Sequence, residues 1–322
     1  MIAGYITAVT TDLARVAVHG GRPHLVNHRS FTNADFTNFD SILSLYLRKY
    51  KADRDIACFG VAGPVIDNKV TATNIPWKIT GRGIAKEYDF KEVRIMNDLV
   101  ATAHGLFELD DDKFIVINQG KKVKNGNIGL LAPGVGLGEA LVFWDGGKYC
   151  PYASEGGHVD FSPGNQLETE LWEYVYSNQG YVEAEDIISL PGLGHIYEFM
   201  LATERATKAD WYKKAKHEEA KLIEKALAGE DSIAEKALDM FVDCCASEAG
   251  NLALKGMTLG GIYLGGPIAP QIMTALDKGR FMERFAKKGK MESLLSNVPV
   301  SLIIDEKTAL LGAARIVAGA VV

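Results

Sequence analysis

Asn97 and Asp98 are the first residues whose types and placement suit chemistry. They directly follow the apolar run 93–96, which is typical of a buried strand. A carboxylate at a strand end can take the proton of an incoming hydroxyl as a general base, and the neighbouring amide can donate to and accept from a polyol. The alternative is that the pair begins a turn or caps the next helix, and the local pattern alone favours that alternative.

A second candidate site is formed by residues 154–163, which read Ser-Glu-Gly-Gly-His-Val-Asp-Phe-Ser-Pro. The adjacent glycines, Gly156 and Gly157, let the backbone approach a ligand closely. Glu155 supplies a hydrogen-bond acceptor, and His158 supplies an imidazole that can donate or accept. A metal site of Glu, His and Asp has no further ligand run to complete it, so the pattern favours a ligand-binding loop over a metal centre or a plain surface loop.

A third candidate is a glycine-rich turn, with Gly134, Gly136 and Gly138 between two apolar runs. Consecutive backbone N–H groups in such a turn can form a nest for a phosphate. The turn is not a dinucleotide-binding fingerprint, because a strand follows it where that fingerprint has a helix. No Gly-Lys-Ser/Thr ending follows it either. A glycine hairpin by itself is also compatible with a purely structural turn.

The elements that must position these residues alternate between strands and helices. Runs 2–8 and 14–18 predict a pair of strands joined by a tight turn, and runs 128–132 and 140–144 repeat that plan. Two similar halves that each open with a hairpin predict a mixed-sheet α/β protein with a cleft between its domains. No linker rich in Pro or Ser separates the halves, so residues 109–113 are a hinge candidate.

Composition narrows the class of protein. The chain has 322 residues, 35 basic and 41 acidic side chains, a net charge of −6, 47% hydrophobic and 24% charged residues. These values are typical of a globular protein of two domains, and they argue against global disorder and against a nucleic-acid-binding face. No apolar run reaches the roughly 20 residues of a membrane span, and the N-terminus lacks the basic lead-in of a signal peptide. With four cysteines and no Cys-x-x-Cys pair, we expect a cytoplasmic protein with reduced thiols.

Taken together, these motifs resemble the bacterial-type glucokinase family of the actin-like ATPase, or sugar kinase, superfamily. The string Glu-Gly-Gly-His-Val-Asp-Phe at 155–161 is the most specific of them. The matching stretches are 61–65, 73–74 with Trp77, 97–98, 134–138, 155–161, 189–193, 250–254 and 265–266. The resemblance implies a two-domain actin-like ATPase (ribonuclease H-like) α/β fold with an interdomain cleft. Its small α/β domain would comprise 1–109 plus 306–322, and its large domain 110–305.

The resemblance also implies roles for individual residues. Asp98 would be the base that faces the 6-hydroxyl of the sugar. The sugar would be bound by Asn97, Glu155, His158, Glu185 and Asn74. The nucleotide side would comprise Gly134, Gly136, Gly138, Gly265, Gly266, Thr10, Thr11 and Asp12. In phosphoryl transfer the protein mainly positions the reactants and stabilises charge, which is what such a set would do.

The first phosphate-binding motif departs from the family pattern of Asp-x-Gly-Gly-Thr. Ala8 stands where the family has the carboxylate that serves magnesium, Thr10 and Thr11 replace two glycines, and Asp12 replaces a hydroxyl. Val135 likewise takes the place of a threonine in the second turn. β-Branched residues resist the left-handed backbone that glycine allows near a phosphate.

Three hypotheses follow from this departure. The chain is a working glucokinase in which Asp12 recruits magnesium from a shifted position, or a glucose-binding sensor or regulatory homologue, or a sugar kinase that uses another phosphoryl donor. We adopt the first, with ATP and Mg²⁺ as the nucleotide and its metal. The resemblance further implies a place in glycolysis and a homodimer, and no protein-bound metal centre, nucleic-acid partner or membrane partner is expected.

Overall fold

A computed structural model describes residues 1–72, 75–204, 207–212, 219–276 and 279–319. Its strands are β1 Ile2–Ile6, β2 Thr10–His19, β3 Arg22–Thr32, β4 Ile56–Val61, β5 Lys69–Thr71, β6 Lys78–Thr80, β7 Glu92–Asn97, β8 Phe114–Asn118, β9 Ile128–Pro133, β10 Leu137–Trp144, β11 Tyr149–Ser154, β12 Gly261–Leu264 and β13 Val300–Ile303. Its helices are α1 Phe39–Lys49, α2 Gly81–Tyr88, α3 Asp98–Gly105, α4 Gln166–Gln179, α5 Leu190–Thr203, α6 Glu219–Leu227, α7 Ser232–Gly256, α8 Ile268–Gln271, α9 Met273–Leu276, α10 Arg280–Ala286, α11 Glu292–Leu295 and α12 Thr308–Gly319.

The chain divides into two compact units. The first comprises Met1–Lys113, the short stretch Pro151–Ala153 and the residues from Asp305 onward, and the second comprises Phe114–Cys150 and Ser154–Ile304. The boundaries proposed from the sequence, 1–109 plus 306–322 and 110–305, concern functional domains and stay a prediction.

The first unit is built on a five-stranded sheet in the order β3-β2-β1-β4-β7. The β1–β2 and β2–β3 pairs are antiparallel, whereas β1–β4 and β4–β7 are parallel. Alternate residues of β1 face opposite sides, since Ile2 and Ile6 pack in a cluster with α1 while Ala3 packs in a second cluster with α12. The register places Ile6 beside Val61 and Val61 beside Asn97, so β1, β4 and β7 end at the same edge of the sheet, with β4 in the middle.

The second unit has a six-stranded sheet in the order β11-β10-β9-β12-β13-β8. Apart from β8, this order repeats the plan of the first unit: a hairpin and a third strand on one side, then parallel strands on the other. Its core is formed mainly by α5, α7 and α10 against the sheet, with large buried side chains such as Tyr197, Phe241 and Phe281. The predicted mixed-sheet α/β architecture with two similar halves is confirmed.

Both hairpins are tighter than the sequence predicts. Strand β1 ends at Ile6, and β2 already begins at Thr10, where Thr11 pairs with Ile6. Strand β10 begins at Leu137, so Gly138 pairs with Ala132 inside the sheet and does not lie in the turn. The β-branched threonines favour extended backbone, which explains why Thr10 and Thr11 belong to β2.

Among the described helices, none is both long and apolar enough to cross a bilayer.

Candidate functional site

The junction of β7 and α3 holds Asn97 and Asp98. The side-chain oxygen of Asn97 accepts hydrogen bonds from the backbone N–H of Leu99 at 2.9 Å and of Val100 at 3.2 Å, and its amide donates to the Gly63 carbonyl at 3.3 Å. The capping alternative is therefore confirmed for Asn97. Asp98 is the first residue of α3, where the positive end of the helix dipole favours a carboxylate.

Close packing against α12 fixes the position of α3. A Cβ on Gly105 would come within 1.9 Å of the Thr308 carbonyl oxygen, and a Cβ on Gly312 within 1.7 Å of the Ala101 carbonyl oxygen. Only glycine permits this approach of the two helices. Because α3 starts at Asp98, the contact fixes the backbone from which that carboxylate projects.

Tyr5 on β1 shares its environment with two carboxylates of the first unit. Burial raises the pKa of the Tyr5 phenol well above its usual range, and the charges of Asp98 and Asp12 raise it further. Asp12 is the strand partner of Tyr5 in the β1–β2 pair. The first unit therefore brings Asp98 and Asp12 close enough to act on the same side chain.

The turn after β1 is closed by its own hydrogen bonds. The Thr7 hydroxyl oxygen accepts from the backbone N–H of Val9 at 3.1 Å and of Thr10 at 2.9 Å. Asn33 then holds both ends of the turn: its backbone N–H donates to the Val9 carbonyl at 2.8 Å and its amide donates to the Thr7 carbonyl at 2.9 Å. Two N–H groups that a phosphate would need are thus already bonded within the protein.

Two residues predicted for the nucleotide side have other partners here. Thr11 has no exposed surface, and its hydroxyl donates to the Asn33 side-chain oxygen at 2.7 Å. Because this hydroxyl is buried and already bonded, it cannot reach a phosphate. The structure therefore does not support the predicted nucleotide-binding role of the Thr11 side chain. Asp12 is partly exposed and lies 2.8 Å from Nε2 of His28 on β3. Its carboxylate stays accessible, with one oxygen engaged.

Asn74, predicted as a sugar-binding residue, lies outside the residues that the structure describes.

The 155–158 segment folds as a tight loop on the start of β10. Gly156–His158 form a 3-10 turn in which the backbone N–H of His158 donates to the Glu155 carbonyl at 3.1 Å. A Cβ on Gly157 would lie 2.1 Å from the Leu137 carbonyl oxygen, so glycine is required at this contact. Glu155 and His158 remain exposed beside the two buried glycines. We call residues 155–158 the sugar loop.

His158, Glu183 and Glu185 converge beside the sugar loop. Nδ1 of His158 lies 3.1 Å from a carboxylate oxygen of Glu183, and this hydrogen bond raises the pKa of the imidazole, with smaller contributions from the charges of Glu185 and Glu155. With Nδ1 bonded to Glu183, Nε2 is left to face a ligand. One ligand atom of each of the three residues lies within 4.8 Å of the others, so a cation would fit as well as the hydroxyls of a polyol.

Glu185 also belongs to the glycine turn. Its carboxylate accepts a hydrogen bond from the Leu137 backbone N–H at 2.7 Å, and a Cβ on Gly136 would lie 2.4 Å from the same carboxylate oxygen. The structure therefore joins two segments that are far apart in the sequence, the turn at 134–136 and the residues after 182.

A second glycine pair lies beside this turn. Gly265 donates its backbone N–H to the Leu131 carbonyl at 2.9 Å, and Gly266 has a φ of +77° with its α-carbon against the Pro133 carbonyl. Parallel pairing of β9 and β12 produces this neighbourhood, since both strands end at the same edge. The N–H groups of Val135, Gly136 and Gly266 donate to no acceptor among the described residues, which leaves a set of donors suited to an anion.

Sequence reasoning missed three residues of this site. Glu183 orients His158, Thr7 closes the first turn, and Asn33 braces it. The spacing Glu183-x-Glu185 was a visible signal for a second carboxylate on the same short turn. Nothing local marks Asn33, because its role depends on the pairing of β2 with β3.

A family model and several known proteins match nearly the whole chain. The family model for glucokinase matches residues 2–320. A glucokinase of Nostoc sp. is 32% identical over 98% of this chain and 97% of its own length, and one of Synechocystis sp. is 37% identical over 80% of this chain and 78% of its own length. A crystal structure of glucokinase from an Antarctic psychrotroph is 30% identical, with a TM-score of 0.85 over 98% of this chain and 97% of that chain.

These matches extend well beyond the short motifs. A TM-score of 0.85 to a solved glucokinase confirms the expected two-unit fold of the actin-like ATPase superfamily. Because the family match runs from residue 2 to residue 320 and includes both glycine turns and the sugar loop, the chain belongs to the glucokinase family.

Proposed function

We propose that this protein is a glucokinase, which transfers the γ-phosphoryl group of ATP to the 6-hydroxyl of D-glucose and forms glucose 6-phosphate. The observation that carries the proposal is the convergence of His158, Glu183 and Glu185 beside the glycine turn at 134–136, with Glu155 in the same loop as His158. Carboxylate oxygens that accept hydrogen bonds and an imidazole that can donate or accept suit a polyol, because each hydroxyl both donates and accepts.

On the acceptor side, Asp98 takes the proton of the 6-hydroxyl as that oxygen attacks phosphorus. Its place in the first turn of α3 puts the carboxylate at the positive end of the helix dipole, which favours a negative charge there. Asn97 holds that first turn in place through its cap, and its amide remains a donor beside the base. Glu155, Glu185 and Nε2 of His158 bind the other hydroxyls and so orient the sugar for in-line attack.

On the donor side, the backbone N–H groups of Val135, Gly136 and Gly266 support a phosphate-binding role for the two glycine turns. Gly134, Gly138 and Gly265 shape the same edge of the sheet. Asp12 is the exposed carboxylate that would serve the magnesium ion of the nucleotide from a position shifted relative to Ala8. Magnesium, when bound, neutralises phosphate charge in such reactions.

The closed turn at 7–10 affects how strongly the protein would bind the nucleotide. With two of its N–H groups bonded to Thr7 and no carboxylate at Ala8, the first turn gives the β- and γ-phosphates fewer contacts than a glycine-rich turn would. We infer a glucokinase with weak nucleotide binding. A cytoplasmic, homodimeric enzyme of glycolysis is part of the same proposal, on the strength of the family alone.

The experiment is a coupled assay for glucose 6-phosphate with ATP, together with calorimetric titration of glucose and of MgATP. The native chain is expected to turn over. Asp98→Asn is expected to lose about 10²- to 10⁴-fold in kcat while its glucose affinity stays within a few-fold, because the amide keeps the shape but not the basicity. Glucose binding without turnover by ATP, ADP or polyphosphate would overturn the kinase assignment in favour of a sugar sensor.

A further inference from the structure

Glu139 is a buried acidic residue that the sugar-binding roles above do not use. It lies on β10, two residues after Leu137, and only 3% of its surface is exposed. Its strand partner on β9 is Leu131. Carboxyl groups are almost never this buried unless they have a partner and a role.

The Glu139 carboxyl group lies directly under the sugar loop. A Cβ on Gly156 would come within 2.1 Å of Oε2 of Glu139 and 2.7 Å of its carboxyl carbon, with the Ser154 hydroxyl next, at 3.1 Å. The α-carbon of Gly156 therefore rests on the carboxyl group of Glu139. Since Gly157 rests on the Leu137 carbonyl, two residues of one strand support both glycines of the loop.

A second carboxyl group, that of Glu248 on α7, is hydrogen-bonded to Glu139. Glu248 is 5% exposed, and each of its oxygens already has a donor: the Asn251 amide at 2.8 Å and the Lys255 ammonium at 3.1 Å. Those donors neutralise a charge on Glu248. A hydrogen bond between two carboxyl groups requires one proton, and that proton belongs on Glu139, which has no such donors.

The unpartnered oxygen of Glu139 supports this assignment. Oε1 is buried and has no hydrogen-bond partner among the described residues. An ionised carboxylate with a bare buried oxygen is far more costly than the neutral acid. Burial, together with the neighbouring negative charge of Glu248, raises the pKa of Glu139 to about 8, against the opposing charge of Lys255.

Other charged groups that the structure describes around this pair are two lysines. Lys255 on α7 acts on Glu139, and Lys288, in the segment after α10, faces Glu248 and donates to the Ser247 hydroxyl at 2.9 Å. The sugar loop itself contributes Glu155 and His158 on its exposed side, while β9 contributes the apolar Leu131.

We propose that Glu139 is a positioning residue for the sugar loop: as a neutral acid that donates to Glu248, it holds Gly156 in the conformation that presents Glu155 and His158 to the sugar. The proposal rests on the sugar-binding role proposed above for that loop. When Glu139 loses its proton, two negative charges meet in one buried space, and the loop above them shifts. Glucose affinity is therefore expected to fall as the pH rises past about 8.

The test compares the native chain with Glu139→Gln and Glu139→Ala by calorimetric glucose titration between pH 6.5 and about 9.5. Gln keeps the size and a donor to Glu248 but does not ionise in this range, so its affinity at neutral pH is expected within about threefold of native, without the alkaline loss. Ala leaves a cavity under Gly156 and is expected to bind glucose about tenfold more weakly at every pH, with MgATP affinity unchanged. Thermal melts of each variant check the fold.

A second measurement separates this inference from the kinase assignment. In sugar-free protein labelled with ¹⁵N-glycine, the amide resonances of Gly156 and Gly157 are expected to titrate near pH 8 in the native chain and to stay constant in Glu139→Gln. This readout needs neither turnover nor glucose. Equal titration in the native chain and in Glu139→Gln, or an unchanged glucose affinity in Glu139→Ala, would overturn the positioning role.

Discussion

The Leu137 backbone N–H donates to the Glu185 carboxylate across 2.7 Å, although 48 residues separate the two in the sequence. This bond joins the glycine turn to a carboxylate that we propose binds the sugar. Leu137 begins β10, and Glu185 lies in the 3-10 turn Ala184–Asp186, so each is held by regular structure on its own side. A change in the conformation of the turn is therefore expected to displace the Glu185 carboxylate.

Gly136→Ala tests this connection. The new Cβ would lie 2.4 Å from the Glu185 carboxylate oxygen, which is the end of a flexible side chain and moves aside at little cost in stability. We expect a melting temperature near that of the native chain and a glucose affinity weaker by about tenfold, the scale of one lost hydrogen bond to a charged group. Calorimetric glucose titration measures the affinity, and a thermal melt measures the melting temperature.

Gly147→Ala is the matched control, because its Cβ would meet nothing closer than the Asp145 carboxylate at 3.6 Å, an ordinary contact. Native glucose affinity in Gly136→Ala, or an equal loss in Gly147→Ala, would contradict the connection.

The His158 imidazole is expected to depend on Glu183 for its protonation. The hydrogen bond between them raises the pKa of His158 above its ordinary 6.5, so Glu183→Gln should lower it, as followed through the ring proton resonances in an NMR titration. The stabilisation from this pair is complete below the unfolded pKa and is lost as the pH rises through the folded one. Glu155→Gln removes only a more distant charge and should lower the pKa less; the reverse order would refute the assigned partner.

Ala8→Asp restores a carboxylate next to the closed turn. The new carboxylate would give the magnesium ion of the nucleotide another partner. We therefore expect kcat/KM for MgATP to rise by about tenfold or more, while the KM for glucose stays within about twofold. Steady-state kinetics with varied MgATP and varied glucose measure the two constants. Val9→Asp places the same charge on the next residue, which is 66% exposed, and should change neither constant. An equal response of both variants would show a general charge effect.

Glu168 and Arg284 form the buried ion pair of the second unit. Their side chains are 1% and 10% exposed, and the carboxylate also accepts from the Gly164 backbone N–H at 2.6 Å. Glu168→Ala leaves the guanidinium buried without its partner and is expected to cost about 3–5 kcal/mol in the free energy of unfolding, read from denaturant melts. Asp55→Ala, which breaks the exposed pair with Lys91, should leave the free energy of unfolding nearly unchanged, because solvent screens that pair. Similar losses in the two variants would contradict this difference.

The amino-acid sequence predicts a mixed α/β plan in which a hairpin opens each half, and it predicts a ligand-binding role for residues 155–158. Hairpin patterns and buried apolar runs depend on a few neighbouring residues, so the mixed α/β plan with two similar halves was predictable. The residues of the sugar loop likewise indicated a ligand, because two adjacent glycines beside Glu155 and His158 are not typical of a plain surface loop.

The contacts between side chains that are distant in the sequence depend on the folded structure. Register placed Asn33 against the first turn, where its side-chain amide donates to the Thr7 carbonyl and its backbone N–H donates to the Val9 carbonyl. Packing placed Glu183 against His158 and Glu139 beneath Gly156. These partners are distant in the chain, and the free energy of each contact depends on burial and alignment across strands, which no local pattern encodes.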